Sequence, residues 1–380
     1  MGRSFLASFL LVFLSLFVAN GQYGDAERLQ IPYPQAYLSS EANGNNLLTG
    51  ANFASAASGY FDATAELYNT ISLSQQLENY REYQNRLVEI AGRSNASTIR
   101  SDAVYYLSAG SSDFLQNYYI NPLLQLAFTF DRFSDILMQS YTNFIQFLWI
   151  LIVYTPPIVG SQRRLYALGA RRVGVTTLPP MGCLPAAMTI FGLGSNECLE
   201  WLNNEAVSFN NRLNATSHRL QNQLFGLKLI IFDIYRPLYN ISTNPTAYER
   251  EPFNLFGFGI FCLHGETLPP PCEAVRSGEG GISFLLPLSS IVGSCMEPPL
   301  EFATGRRNQR LPEVTGRFAE SRKACCGTGL LETSILCNPF SVGTCANASD
   351  YVFWDGFHPS DAANGFIAES LLESGMRLVS

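Results

Sequence analysis

Asp355 and His358 stand three residues apart in Tyr351-Val352-Phe353-Trp354-Asp355-Gly356-Phe357-His358-Pro359, at the end of an apolar run, in a chain with only three histidines. At that spacing a carboxylate can fix the tautomer of an imidazole and stabilise the imidazolium formed when the ring takes a proton near neutral pH. Such a pair still needs a nucleophile and an oxyanion hole. The same spacing also suits a capped turn ahead of a last helix. His218, between Leu213 and Leu220 in a helical pattern, reads as an ordinary structural or surface residue, and His264 falls in a stretch without pattern. Ser58 and Ser108 are stand-in nucleophiles only in principle. A reactive serine needs a base within hydrogen-bond reach on a preorganised turn, and nothing in their spacing indicates one.

The 380 residues, 47% of them hydrophobic, can bury a large core and fit one large α/β domain better than two. A net charge of −7 with no run of Lys or Arg argues against nucleic-acid or anionic-membrane partners, leaving small-molecule chemistry. Met1-Gly2-Arg3, the apolar run Phe5 to Val18 and the small-residue end Ala19-Asn20-Gly21 read as a secretory signal over residues 1–21, too short to span a bilayer. A secreted, extracellular protein without stable membrane insertion is expected. The acceptors Asn95-Ala96-Ser97, Asn214-Ala215-Thr216, Asn240-Ile241-Ser242 and Asn347-Ala348-Ser349 agree with export. Nine cysteines suggest disulfides with one left over. Cys183, Cys198, Cys325, Cys326, Cys337 and Cys345 lie in patterned segments, whereas Cys262, Cys272 and Cys295 do not. Structural bridges are expected within the six, with the vicinal Cys325 and Cys326 going to different partners. No cysteine spacing pairs with histidines as a zinc site requires, and neither metal nor cofactor is expected.

Apolar runs at Leu47 to Phe53, Ala103 to Leu107, Arg172 to Leu178 and Leu227 to Ile234 predict buried strands. Ile71 to Ile90, Phe133 to Gln146 and Trp201 to Leu224 carry helical spacing between them. This βαβα rhythm implies a parallel sheet covered on both faces, with the site beyond the carboxyl ends of its strands. The candidate loops are Ala54 to Tyr60, Ser108 to Asp113 and Pro179 to Leu184, with His358 expected close to Gly110–Asp113. Two stretches break the rhythm: 147–163, an apolar burst with a double proline, and 247–314, rich in Pro, Gly and Phe with no sustained period. Both are expected to lie outside the sheet and to be poorly ordered.

Five ordered blocks, Gly50 to Tyr60, Leu107 to Phe114, Gly169 to Val175 with Pro179 to Pro185, Lys323 to Gly327, and Phe353 to Pro359, resemble those of plant GDSL-type esterase/lipases. The resemblance implies a three-layer α/β/α SGNH-hydrolase fold with a flavodoxin-like parallel sheet over residues 22–380, interrupted by the two inserts. It implies an ester or lipid ester substrate attacked by a serine at the end of the first strand. It makes His358 the base and Asp355 the residue that orients it. In the oxyanion hole, Gly59 is the nearest glycine of the second block, although Ala57 can occupy the equivalent place. The third block's usual Gly-x-Asn-Asp is Gly110-Ser111-Ser112-Asp113, so Ser112 stands where an amide donor belongs and its hydroxyl, with a shorter reach, predicts a weakened hole.

The chain departs from the family at its front. The opening block, an apolar strand running into Phe-Gly-Asp-Ser, does not follow the signal. Tyr23-Gly24-Asp25-Ala26 is a chance imitation with Ala26 at the nucleophile's position. The first strand and the nucleophile are therefore expected to be missing. That loss and the two inserts suggest a coding sequence with a skipped exon and retained introns, because their removal joins Gln146 to the Leu165 region and Thr246 to the Arg317 region. An impaired extracellular ester hydrolase, a non-catalytic ester- or lipid-binding relative and a product without stable fold remain the competing readings.

Overall fold

The computed structural model describes residues 34–146, 168–247, 318–333, 336–337 and 341–379, together with the backbone of 11–14. Two compact units divide the chain: one, Met1–Leu6 with Tyr248–Arg317, lies outside the described residues, and the other is Ala7–Ala247 with Phe318–Ser380. The expectations for inserts 147–163 and 247–314, for Tyr23 to Ala26, for His264 and for Cys262, Cys272 and Cys295 also lie outside the described residues, Ala247 apart.

Three of the four apolar runs form strands: β2 (Val104–Leu107), β3 (Arg172–Thr176) and β4 (Lys228–Phe232). They pair in parallel, in registers that set Val104 opposite Arg172 and Arg172 opposite Lys228. Because side chains alternate across a strand, Tyr105 reaches the ring of Tyr80 on one face, while Val104 and Tyr106 pack with Ile230, Phe232 and Leu378 on the other. Tyr80 belongs to α2 (Leu73–Asp102) and Leu378 to the last helix, α8 (Asp361–Val379), so helices cover both faces in a three-layer α/β/α arrangement.

Local chemistry sets the helix ends. Ser72 caps α2 by accepting from the Gln75 N–H, and Thr129 does the same for α4 (Phe130–Ile145) through the Arg132 N–H. The helical pattern of α2 fades at Ile90 because Gly92, at φ 77°, kinks the helix before it continues to Asp102. α4 packs on α6 (Glu200–Gln223), where the Tyr141 and Ser217 hydroxyls share a 2.7 Å hydrogen bond. Between these elements lie the shorter α1 (Asp62–Leu67), α3 (Pro122–Ala127), α5 (Pro185–Phe191) and α7 (Tyr235–Thr243).

Two expectations are corrected. Leu47 to Phe53 is not a strand: Gly44–Thr49 is a 3-10 turn, Gly50 has φ 123°, and a single bridge joins Asn52 to Ala36. Its apolar side chains serve a helix instead, with Phe53 edge-on to Tyr80 and Tyr83 of α2 and the Tyr83 hydroxyl donating to the Leu47 carbonyl. Nor is the strand position beside β2 missing. Leu11–Leu14, inside the stretch read as a signal, forms β1 and pairs in parallel from Leu11 opposite Val104 to Leu14 opposite Leu107, giving the order β1-β2-β3-β4. A ladder needs only backbone N–H and C=O groups, so an apolar extended run can fill the place without carrying the family's block.

Without residues 1–21 the chain has no β1, and among the described residues β2 becomes the sheet's edge. A chain lacking residues 1–21 should therefore unfold at lower urea than the full chain, since each buried backbone group left unpaired costs about 1–3 kcal/mol. Equal midpoints for the two chains would show that β1 contributes nothing. Within β3, a Cβ on Gly174 would collide with the Phe232 ring. Gly174→Ala should destabilise the chain by roughly 1–3 kcal/mol in the same measurement.

Candidate active site

A second, two-stranded sheet carries the Asp355–His358 pair. β5 (Glu320–Ala324) runs parallel to β6 (Tyr351–Phe353), and the Cys325 and Cys326 N–H groups extend the ladder to the carbonyls of Phe353 and Trp354 at 3.0 and 2.8 Å. The disulfides Cys325–Cys345 and Cys326–Cys337 fasten this strand end, and Cys183–Cys198 is the third bridge. The vicinal cysteines thus go to different partners within the six. After β6 the chain reverses: the Trp354 N–H donates to the His358 carbonyl at 2.8 Å, and Ser360 accepts from the Ala363 N–H to start α8. The segment is both a capped turn and a carboxylate–imidazole pair.

The Asp355 side chain is 2% exposed and organises this turn. Its Oδ1 accepts from the Phe357 and His358 N–H groups at 2.9 and 2.8 Å, Thr333 donates to Oδ2 at 3.2 Å, and His358 Nδ1 lies 2.8 Å from both oxygens. Burial alone raises the pKa of Asp355, but the hydrogen bond and charge of His358 and the two backbone donors outweigh it and hold the carboxyl below its usual range. With Nδ1–H given to the carboxylate, the ring's lone pair belongs to Nε2. The His358 side chain is 18% exposed, so the ring is lined by protein yet reachable.

This turn docks on the loop beyond β3. The Ala186 N–H, in the first turn of α5, donates to the Gly356 carbonyl at 3.0 Å, and the Gly356 N–H donates to the Glu332 carbonyl at 2.8 Å. The ends of β2 and β3 meet each other as well. Thr176 and Ser108 share a 2.8 Å hydroxyl contact, and a Cβ on Gly110 would strike Leu178 and crowd the Tyr60 ring.

The second and third blocks meet through Asp113. This fully buried carboxylate accepts from the Tyr60 N–H at 2.7 Å, the Phe61 N–H at 3.2 Å and the Thr64 hydroxyl at 2.7 Å. Gly59 lies so close that a Cβ there would overlap the carboxyl group, while Ala57, at φ 59°, holds a left-handed conformation that favours glycine. Gly59 is therefore a packing requirement, and Ala57 stands where a glycine would be at ease. Ser112 is buried in the short helical turn Ser111–Asp113. Ser58 is buried between the Ser55 carbonyl and the Gln76 amide, and His218 is exposed on α6. The described residues contain no cluster of His, Cys, Asp or Glu suited to a metal ion.

A family model described as GDSL-like lipase/acylhydrolase matches residues 18–371. The chain belongs to this family. It is 49% identical over 351 residues to a GDSL esterase/lipase of Arabidopsis thaliana, covering 92% of this chain and 74% of the relative. A second Arabidopsis GDSL esterase/lipase is 48% identical over 349 residues, 92% of this chain and 75% of its own length. The GDSL esterase/lipase APG of the same plant is 41% identical over 348 residues, 91% and 74% of the two chains. This plant-type GDSL hydrolase carries Asp355 and His358 on a disulfide-fastened turn, and β1 precedes the matched span.

Sequence reasoning named Asp113 only as part of its block and did not name Thr333 as a partner of Asp355. No spacing marks either, because their partners are 49–53 and 22 residues away along the chain. Burial pushes the Asp113 carboxyl up to about 7 against the pull of its three donors. An unfolded carboxyl titrates near 4, so between about pH 4 and 7 the folded chain binds the extra proton and this group's contribution to stability falls as pH rises. Asp355 acts in the opposite sense, stabilising above the ordinary carboxylate range and losing that stabilisation as pH falls. The stability of the wild type relative to Asp113→Asn should therefore decline from pH 4 to 7 and level off above, as measured by urea unfolding across that range. A difference independent of pH would show that Asp113 titrates as an ordinary carboxyl.

Proposed function

We propose that the site is that of an extracellular carboxylic-ester hydrolase acting on acyl or lipid esters, and that turnover is impaired in this chain because the nucleophilic serine is missing. The observation that carries the reading is the 2.8 Å contact between His358 Nδ1 and the buried Asp355 carboxylate. Asp355 holds the imidazole with Nε2 as the proton acceptor, His358 serves as general base, and an ester carbonyl is the group to be attacked. Gly59 and Ser112 are assigned to the oxyanion hole. Gly59 acts through the loop that Asp113 holds, since the Tyr60 N–H is committed to that carboxylate. The four glycosylation-acceptor asparagines are exposed and three disulfides are formed, which supports export.

The absence of a Phe-Gly-Asp-Ser block favours a second reading, a non-catalytic relative that keeps an ester or lipid pocket. On this second reading His358 activates only water, and residual catalysis rests on the oxyanion hole and binding. Purified chain should show at most trace hydrolysis of p-nitrophenyl butyrate and resist fluorophosphonate labelling. Supplying the Phe-Gly-Asp-Ser strand and turn and removing both inserts should restore turnover that His358→Ala lowers by several orders of magnitude. Robust turnover by the unmodified chain would refute the missing-nucleophile reading, and a restored chain indifferent to His358→Ala would refute the base assignment.

A further inference from the structure

The Cys183–Cys198 bridge stands apart in what faces its sulfurs. Arg322 Nη1, on β5, lies 3.0 Å from Cys198 Sγ, and the Asn203 side-chain amide lies 3.5 Å from Cys183 Sγ. Cys198 also stands one residue before Leu199, the N-cap of the 24-residue helix α6. A guanidinium, an amide and a helix N-terminus gain little from a neutral disulfide and much from a thiolate. At Cys325–Cys345, by contrast, Cys325 Sγ faces the Cys345 carbonyl at 3.9 Å, and a carbonyl oxygen repels a thiolate.

The bridge encloses α5, whose Ala186 N–H donates to the Gly356 carbonyl of the Asp355–His358 turn at 3.0 Å. Its two ends are also joined by hydrogen bonds: the Leu199 N–H donates to the Gly182 carbonyl at 2.8 Å, and Asn203 Oδ1 accepts from the Gly182 N–H at 2.9 Å. Opening the S–S bond therefore loosens the enclosed segment without dismantling the fold around it.

We propose that Cys183–Cys198 is a redox switch: a dithiol reductant opens it ahead of the other two described bridges, Arg322 holds the Cys198 thiolate, and α5 loosens its grip on the Asp355–His358 turn. Cys198 is half-buried and Cys183 fully buried, so the reductant's thiolate attacks Cys198 Sγ. The S–S bond breaks with its electron pair on Cys183. The reductant's second thiolate then attacks its own sulfur in the mixed disulfide, and Cys198 leaves as a thiolate beside Arg322. The dithiol is oxidised to a disulfide by two electrons and the bridge is reduced by two. Of the dithiol's two protons, one ends on Cys183, where burial favours the neutral thiol, and the other goes to water.

The full chain is equilibrated in graded ratios of reduced to oxidised dithiothreitol, alkylated with iodoacetamide and mapped by peptide mass spectrometry. Cys183 and Cys198 should become alkylated together at a ratio about tenfold lower than Cys325, Cys326, Cys337 and Cys345 require. In the reduced protein, Cys198 alkylation should reach half its maximal rate below the ordinary thiol range of about 8.5. Arg322→Gln should raise the ratio needed by about tenfold and move that half-point to higher pH, whereas Arg322→Lys, which keeps the charge, should behave as the wild type does. Hydrogen exchange in 185–191 should quicken severalfold on reduction while 104–107 is unchanged. Bridges that open together, or this one last, overturn the switch, as does a folded Arg322→Gln chain that titrates like the wild type. If Arg322→Gln does not fold, the order of opening and the Cys198 half-point in the wild type decide the matter. Exchange in 185–191 indifferent to reduction overturns the coupling to α5.

Discussion

The buried Asp355 carboxylate is the contact on which the site depends. It accepts from two N–H groups of its own turn, from the Thr333 hydroxyl and from the imidazole of His358. Such a group is tolerated away from water only because its oxygens are satisfied. The same hydrogen bonds shape the turn and set the tautomer of the imidazole, so fold and electrostatics here are one constraint. Removing either partner leaves a buried charge or an unoriented ring.

Asp113 answers the same problem differently. It too is buried and accepts two backbone N–H groups and a hydroxyl, but among the described residues it has no cationic or imidazole partner. Desolvation therefore wins at Asp113, whereas at Asp355 the histidine reverses the balance. One carboxylate positions a loop and the other orients an imidazole. The lack of a Cβ at Gly59 is what lets Asp113 approach the loop closely enough to hold it.

The frame beneath the site divides its labour. The four-stranded parallel sheet supplies loop ends at β2 and β3 that converge through Thr176, Ser108, Gly110 and Leu178. The two-stranded sheet, with its two disulfides, delivers the Asp–His turn from the side, and Ala186 joins the two systems through Gly356. With both bridges at the end of the strand that pairs beside β6, the turn has little freedom to misplace an imidazole.

By itself the sequence determined the elements whose cause is local: the apolar runs that became β2, β3 and β4, the capped helices with their 3.6-residue stripe, and the Asp355–His358 pair, whose spacing confines both side chains to one turn. The five blocks identified the family, which a single linear pattern can carry. Tertiary structure decided the rest, because the reasons are non-local. Leu47 to Phe53 has a strand's composition but found α2 to pack against. Leu11–Leu14 has a leader's composition but pairs with β2, since a ladder asks for backbone groups and not for particular side chains. That Gly59 must lack a side chain, that Asp113 holds the loop and that Thr333 completes the shell of Asp355 all depend on residues distant in the chain. Such contacts leave no period or spacing to read, and only folding, which brings their partners within hydrogen-bond reach, brings them into being.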